Sequence, residues 1–272
     1  MTVLLLSCPD RPGLVAAVAG FISDRGGNIV DADQHTDRAH ERFLQRVEFD
    51  LAEADGHDRF ATDFAPLAES LMMEWSLHRE DERARIAILV SNLGHCLYDL
   101  LGRVALGEFA ADVVGVVSNH DHLAEAAGRF DVPFVRVHDD DELTATLDDM
   151  APDLIVLARY MQIVPSHIID RHPSRIINIH HSFLPAFVGA RPYHHAHERG
   201  VKMIGATAHY ATAELDDGPI IAQDVIRVSH RDDVDRFVRR GRDLEQLVLA
   251  RAVGLHLEHR VLTVANRTIV FE

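Results

Sequence analysis

The chain has 272 residues, 47% of them hydrophobic, which is enough for one large core or two modest ones and longer than the commonest single domain. Lys and Arg number 27 against 43 Asp and Glu, a formal net charge of −16, so no global field draws the chain to nucleic acid or an anionic membrane, and an anionic ligand needs locally placed arginines. The two cysteines, Cys8 and Cys96, lack Cys-x-x-Cys spacing and read as reduced thiols, and "MTVLLLSCPD" is far short of the roughly 20 apolar residues of a membrane span, so a cytoplasmic protein is expected.

From the N-terminus, "TVLLLSC" predicts a strand, "PDRPG" a turn and "LVAAVAGFISDRG" a helix with apolar residues at helical spacing. Strand-like "NIVDADQHTD" and "RFLQRVEFDLA" follow, then helix-like "DRFATDFAPLAESLMM", with room for one more strand at "EWSLH". That order is ferredoxin-like. The charged run "REDERAR", Arg79 to Arg85, is the expected linker, giving a first domain over 1–78, a linker over 79–84 and a second domain over 85–272. From "IAILVSN" onward, short apolar runs ("DVVGVVSN", "VPFVRVH", "DLIVLARYM", "RIINIH") alternate with helix-like segments such as "DELTATLDDM". Such a pattern predicts a Rossmann-like α/β domain, its mainly parallel sheet covered on both faces and its ligands at the carboxyl ends of the strands. A long helix around "VDRFVRRGRDLEQLVLARAVGLHLEH" and a terminal strand in "VLTVANRTIVFE" close the chain.

One of those carboxyl ends opens the window "INIHHSFLPAFVGARPYHHAH", Ile177 to His197, which holds five of the chain's 19 histidines. Asn178 and His180 are two apart on a strand, so their side chains leave the same face. An amide donor beside an imidazole suits a carbonyl oxygen that becomes an oxyanion. A proton acceptor is still needed, and "TAELDDGPIIAQ" offers Asp216 and Asp217 on a turn sharpened by Gly218-Pro219. Each piece has an ordinary reading as well: a satisfied polar pair on a strand, and a plain turn. Zinc is the sharper rival, because His180, His181, His194, His195 and His197 lie close in sequence, but no cysteine, His-Glu-x-x-His helix or carboxylate pair completes a ligand set.

"IINIHHSFLPAFVGARPYHHAHERGVKMIGATAHYATAELDDGPIIAQDV" resembles the folate-dependent formyltransferase family, from about Arg85 to the C-terminus. The resemblance implies a catalytic Asn178, His180 and Asp216. "HHSFLPAF", "RRGRD" at 239–243 and "NRTIV" at 266–270 are similar to the family's deformylase branch, which hydrolyses 10-formyltetrahydrofolate to formate and tetrahydrofolate for one-carbon and purine metabolism. "CPDRPGLVAAVAGFISDRGGNIVDAD" resembles the opening of an ACT domain, the module that the deformylase branch carries ahead of its catalytic domain.

By that resemblance the pteridine lies along "LARYMQIV", with Arg159, Met161 and Ile163, and along the loop that holds Asp217. His181, Ser182, Gly189 and His209 are implied nearby, and Tyr193 and His194 are further candidates for positioning. Asp216 is expected to orient and deprotonate water, Asn178 to donate to the formyl oxygen, and His180 to stabilise the oxyanion and reprotonate N10. No metal or cofactor is expected, since the formyl carbon is already electrophilic. Gln162 stands where relatives carry a basic residue, so Arg159 or Arg191 is expected at the glutamate tail. The ACT resemblance implies an amino-acid effector near Asp10, Gly13, Leu14, Asn28 and Ile29, and a homo-oligomer, dimer or tetramer. The turn "SNLGHCLYDLL" is a poor phosphate nest, which favours water over a phosphorylated acceptor. Transfer to a small amine held near 91–104 and a catalytically silent folate sensor remain the alternatives.

Overall fold

Leu14, Val18 and Ile22 recur at helical spacing, Phe43, Val47 and Phe49 at strand spacing, and the two sets meet in one buried cluster. The computed structural model describes residues 1–51, 56–185 and 192–272, which divide into two units, Met1–Glu82 with Glu258–Glu272, and Arg83–Leu257. The first unit runs β1 (Thr2–Pro9), α1 (Leu14–Asp24), β2 (Asn28–Asp37), β3 (Arg42–Asp50), α2 (Gly56–Ser70) and β4 (Glu74–Arg79). Its antiparallel sheet has the order β2-β3-β1-β4, so the strand at "EWSLH" is formed and the ferredoxin-like topology is complete. Phe60, Phe64 and Ala68 of α2 close the core against β1 and β3.

The second unit alternates β5 (Ala84–Val90), α3 (His95–Ala105), β6 (Ala111–Ser118), α4 (Ala124–Gly128), β7 (Phe134–Arg136), α5 (Asp140–Met150), β8 (Leu154–Leu157), α6 (Ser166–Arg171) and β9 (Ile176–His180). It continues through α7 (Pro192–Arg199), β10 (Met203–Tyr210), β11 (Ile220–Arg227) and α8 (Val234–Leu257). The seven-stranded sheet has the order β11-β10-β9-β8-β5-β6-β7, parallel from β9 to β7, with β10 and β11 added antiparallel. Local signals place the helices: Asp139 accepts from Glu142 N at 2.9 Å while the Glu142 carboxylate accepts from His138 N at 2.8 Å, a reciprocal cap that starts α5. The chain passes from β5 out to β7 and returns to β8 on the other side, which puts a topological switch, and hence a crevice, at the carboxyl ends of β5 and β8. Ser91 ties that edge together: its N–H donates to Arg159 O at 3.3 Å and its Oγ accepts from Met161 N at 3.0 Å. Among the described residues no helix is long and apolar enough to cross a membrane.

The chain end differs from the single strand expected. β12 (Val261–Val264) and β13 (Arg267–Val270) form a hairpin, with Ala265 at a φ of 50° in the turn, and belong to the first unit, so the span 85–272 loses 258–272 to it. The reason lies in β3, which is buried on both faces: Phe43, Val47 and Phe49 face the helices, while Leu44 packs with Leu262, Val264, Ile269 and Phe271. Arg46, on the Leu44 face and nearly fully buried, donates to the carbonyls of His259 at 2.9 Å and Glu258 at 3.1 Å, and Arg267 donates to Asp37 at 2.7 Å. Phe271→Ala is expected to destabilise this unit by about 3 kcal/mol, the usual cost of emptying an aromatic site. Urea unfolding curves check it, and an unchanged midpoint would show that the hairpin is only loosely seated.

Candidate active site

Asn178 and His180 leave one face of β9, as their spacing predicts, and β10 lies beside them with His209 opposite Asn178 and Thr207 opposite His180. Asn178 Nδ2 is 3.1 Å from His209 Nε2, and His209 Nδ1 is 2.9 Å from the Tyr210 carbonyl. A carbonyl only accepts, so His209 carries its proton on Nδ1 and accepts at Nε2, which assigns the Asn178 amide with its NH2 toward His209. One N–H of Asn178 is thereby used and the other remains to donate.

Asp216 sits on the loop between β10 and β11 with a φ of 56°, a left-handed conformation that Asp tolerates better than most residues. Its Oδ1 lies 3.1 Å from His180 Nδ1 and 3.8 Å from His209 Nε2. The loop comes this close because of Gly218: a Cβ there would stand 1.7 Å from Tyr210 O. Tyr210 N donates to Pro219 O at 2.9 Å, so the loop is fastened to the end of β10. The hydrogen bond from His180 holds the Asp216 carboxyl well below the usual carboxylate range despite partial burial. An ionised carboxylate only accepts, so His180 donates from Nδ1, and its Nε2, buried, has no hydrogen-bond partner among the described residues.

These groups form the inner wall of a cavity of about 330 Å³. The opposite side is backbone and apolar side chain from Leu157 to Val164 and from Ala211 to Leu215, with Met161, Ile163 and Leu215 exposed beside it. Large apolar side chains left in water around a polar inner end suit an organic ligand with an apolar body and a polar group. Met161, Ile163, His181, His209 and Arg159 all line this space with the three central residues. Ser182 is buried with its carbonyl accepting from Thr207 Oγ1 at 2.9 Å, and Asp217 is exposed; neither lines the cavity. Gly189 and Arg191 lie outside the described residues. The Arg159 side chain is mostly buried and its Nε is 3.5 Å from a Glu245 carboxylate oxygen.

Glu245 is the residue that motif reading missed. It is 1% exposed on α8, 2.7 Å from the Tyr193 hydroxyl and 2.8 Å from His95 Nε2. The available signal was a carboxylate among Phe237, Gly241, Leu244 and Val248, the apolar stripe of that helix. His95, Cys96 and Glu245 also place three donor atoms within 4.8 Å of one another, the one such cluster among the described residues. Both Glu245 oxygens are already engaged and Arg159 brings a positive charge, so the set does not favour a cation. His194, His195 and His197 stand on α7, where His197 meets Phe237 edge-on at 5.2 Å.

In the first unit the five residues of the expected effector site are not brought together within one chain. Asp10, Gly13 and Leu14 follow the end of β1, with Gly13 at a φ of 93° and Leu14 buried, whereas Asn28 and Ile29 start β2 at the level of Asp50 and Phe49. Phe49 pairs with Thr2 at the other end of β1, so the groups are roughly 20 Å apart along the strands.

Sequence models of two families match: one described as formyl transferase over residues 84–253 and one described as ACT domain over 2–60. The formyltetrahydrofolate deformylase of Synechocystis sp. is 50% identical over 98% of this chain and 97% of its own length. A crystal structure of a formyltetrahydrofolate deformylase from Pseudomonas syringae pv. tomato superimposes with a TM-score of 0.97 at 43% identity, covering 100% of this chain and 94% of that one. A glycinamide ribonucleotide transformylase from Symbiobacterium toebii gives a TM-score of 0.68 at 31% identity over 71% of this chain and 96% of its own.

Burial, and then the Arg159 charge, push the His181 imidazole down to about 4. An unfolded His titrates near 6.5, so as the pH falls from about 6.5 to about 4 the unfolded chain takes up a proton that the folded chain refuses, and stability is lost. Between pH 7.5 and pH 5 that loss is about 2 kcal/mol for this ring. His181→Gln is expected to lose correspondingly less over the same interval. Urea midpoints at the two pH values check this, and equal losses in both proteins would remove His181 as the source.

Proposed function

Because the chain belongs to the formyltetrahydrofolate deformylase family, an ACT domain joined to a formyl transferase domain, we propose that it hydrolyses 10-formyltetrahydrofolate to formate and tetrahydrofolate at Asn178, His180 and Asp216. The observation that carries this reading is the connected set at the inner end of the cavity, where an amide N–H, an imidazole Nε2 and an ionised carboxylate converge beside an apolar channel. The pteridine end enters between the 157–164 and 211–215 segments, and the formyl group stops at Asn178.

Proton handling follows from the electrostatics. A carboxylate held far below its usual range is a weak base, so Asp216 is better suited to orienting His180 and stabilising its cation than to taking the proton from water itself. His180 Nε2 accepts that proton as the water oxygen attacks the formyl carbon. The free N–H of Asn178 donates to the resulting oxyanion, an interaction worth about 3 kcal/mol in comparable sites. The C–N10 bond then breaks with its electron pair on N10, His180 returns the proton there, and formic acid leaves as formate. No step in this reading calls on a metal.

Formate release from 10-formyltetrahydrofolate alone, undiminished by chelators, is the expected result. Turnover only with an added amine supports the transferase reading, and folate binding without turnover supports the sensor. Asp216→Asn is expected to bind folate nearly as the parent does while losing at least about 100-fold in kcat, since an amide leaves His180 without its charged partner. A variant that keeps more than about a tenth of kcat, a barrier change under ~1.4 kcal/mol, would remove Asp216 from this role.

For the ACT domain the geometry supports an amino-acid effector held between copies, with Asp10, Gly13 and Leu14 from one chain and Asn28 and Ile29 from another. Calorimetric titration with the twenty amino acids, alongside sedimentation, is expected to find binding confined to the oligomer. Binding to a monomer, or none at millimolar concentration, rejects the shared site.

A further inference from the structure

Gly241 and Glu245 are one turn apart on the same face of α8, and together they receive Tyr193. A Cβ at Gly241 would lie 2.2 Å from Tyr193 Cζ and 2.5 Å from its hydroxyl oxygen, so the ring occupies the space that only a glycine leaves open. The hydroxyl then donates to Glu245 Oε1 at 2.7 Å. The other carboxylate oxygen is 2.8 Å from His95 Nε2 and 3.5 Å from Arg159 Nε. Burial works against the charge on Glu245, and the His95 hydrogen bond with the Arg159 guanidinium outweighs it, so the carboxyl stays ionised. One buried carboxylate thus gathers groups from α3, α7, α8 and the segment after β8.

This cluster backs directly onto the reactive end of the cavity. The Tyr193 ring meets His181 edge-on with centroids 6.1 Å apart, and His181 is 5.3 Å from the ring of His180. Arg159 and His181 themselves line the cavity. None of the proton or formyl steps uses Glu245, Tyr193 or His95.

We propose that the Tyr193, Glu245, His95 and Arg159 cluster is an acceptor-excluding wall: Glu245 positions Arg159 and Tyr193, these hold His181 against His180, and water is the nucleophile that still reaches the formyl carbon. The inference rests on the deformylase reading and assigns the acceptor specificity of that same site. With the wall opened, an amine nitrogen attacks the formyl carbon, His180 takes one amine proton, the C–N10 bond breaks with its pair on N10, and that proton moves to N10 while the formyl group stays on the amine.

The full-length protein is incubated with 10-formyltetrahydrofolate and hydroxylamine, and formate and formohydroxamate are measured in the same reaction. In the parent, formate is expected to account for the turnover. Tyr193→Ala is expected to shift the partition toward hydroxamate by about tenfold or more, the discrimination that one pocket side chain supplies. Glu245→Ala should shift it likewise, and Tyr193→Phe, which keeps the ring and loses the hydrogen bond to Glu245, should fall between Tyr193→Ala and the parent. If thermal melting shows that Tyr193→Ala does not fold, His95→Ala at the rim of the cluster carries the same expectation. A folded, active Tyr193→Ala or His95→Ala with the parent partition overturns the wall, as does a parent that already forms hydroxamate in quantity. A parent that binds folate and releases no formate with or without hydroxylamine overturns the deformylase reading itself, so the two failures read differently.

Discussion

A carboxylate kept ionised in a half-buried position, and given to an imidazole, is the constraint around which the second unit is arranged. Asp216 can reach His180 only if the loop after β10 turns back at once, and it turns back through a left-handed Asp216 and a Gly218 pressed against the Tyr210 carbonyl. The same carbonyl fixes the proton of His209, which in turn fixes the Asn178 amide. One backbone oxygen therefore sets the orientation of two side chains on β9 and β10 and the approach of a third on the loop. Removing the hydrogen-bond partner of a buried polar group costs about 1–3 kcal/mol, and more where the group left behind is charged. The pieces of this site stand or fall together.

The sheet supplies the geometry that the constraint requires. In a purely parallel sheet a long crossover would separate each strand from the next, whereas β10 and β11 are antiparallel and joined directly by the short loop that carries Asp216. Here β9 is parallel to β8 on one side and antiparallel to β10 on the other. The parallel side brings the ends of β5, β8 and β9 into one crevice, and the antiparallel side lays His209 across from Asn178. Thr207 and Gln223 extend the same logic: Thr207 Oγ1 donates to Ser182 O and accepts from Leu184 N and Gln223 Nε2, so the chain leaving β9 is held by the antiparallel strands.

What was readable from the sequence was whatever depended on local period or on a short motif. Alternation along "INIH" was enough to put Asn178 and His180 on one face, and "DDGP" was enough to mark the turn that carries Asp216. Features set by sheet order were not readable: β1 and β2 are each clear as strands, yet only the order β2-β3-β1-β4 shows that Gly13 and Asn28 sit at opposite ends of the sheet. The closing hairpin is hidden for a related reason, since the parity of Leu44 calls for a partner but nothing nearby in sequence says that Phe271 will be it. Glu245 is the hardest case. A single acidic residue in an apolar stripe looks like a surface position until His95, 150 residues earlier, is brought against it.

Two carboxylates lie near His181, Asp216 with His180 on the cavity side and Glu245 with Arg159 behind it. Buried ion pairs seldom add net stability over well-packed apolar side chains of the same volume. Here a separate consequence follows from where the charges are. Adjacent imidazoles compete for a proton, and a proton resting on His181 would be lost to the proposed chemistry at His180. Burial and the Arg159 guanidinium make His181 the unfavourable choice at neutral pH, while the Asp216 carboxylate lies against His180 Nδ1. The guanidinium can stay so close to an active centre only because Glu245 balances it, and Glu245 can be buried only because His95 and Tyr193 satisfy its oxygens. In the proposed mechanism the cluster behind the site thus helps to keep the proton off His181.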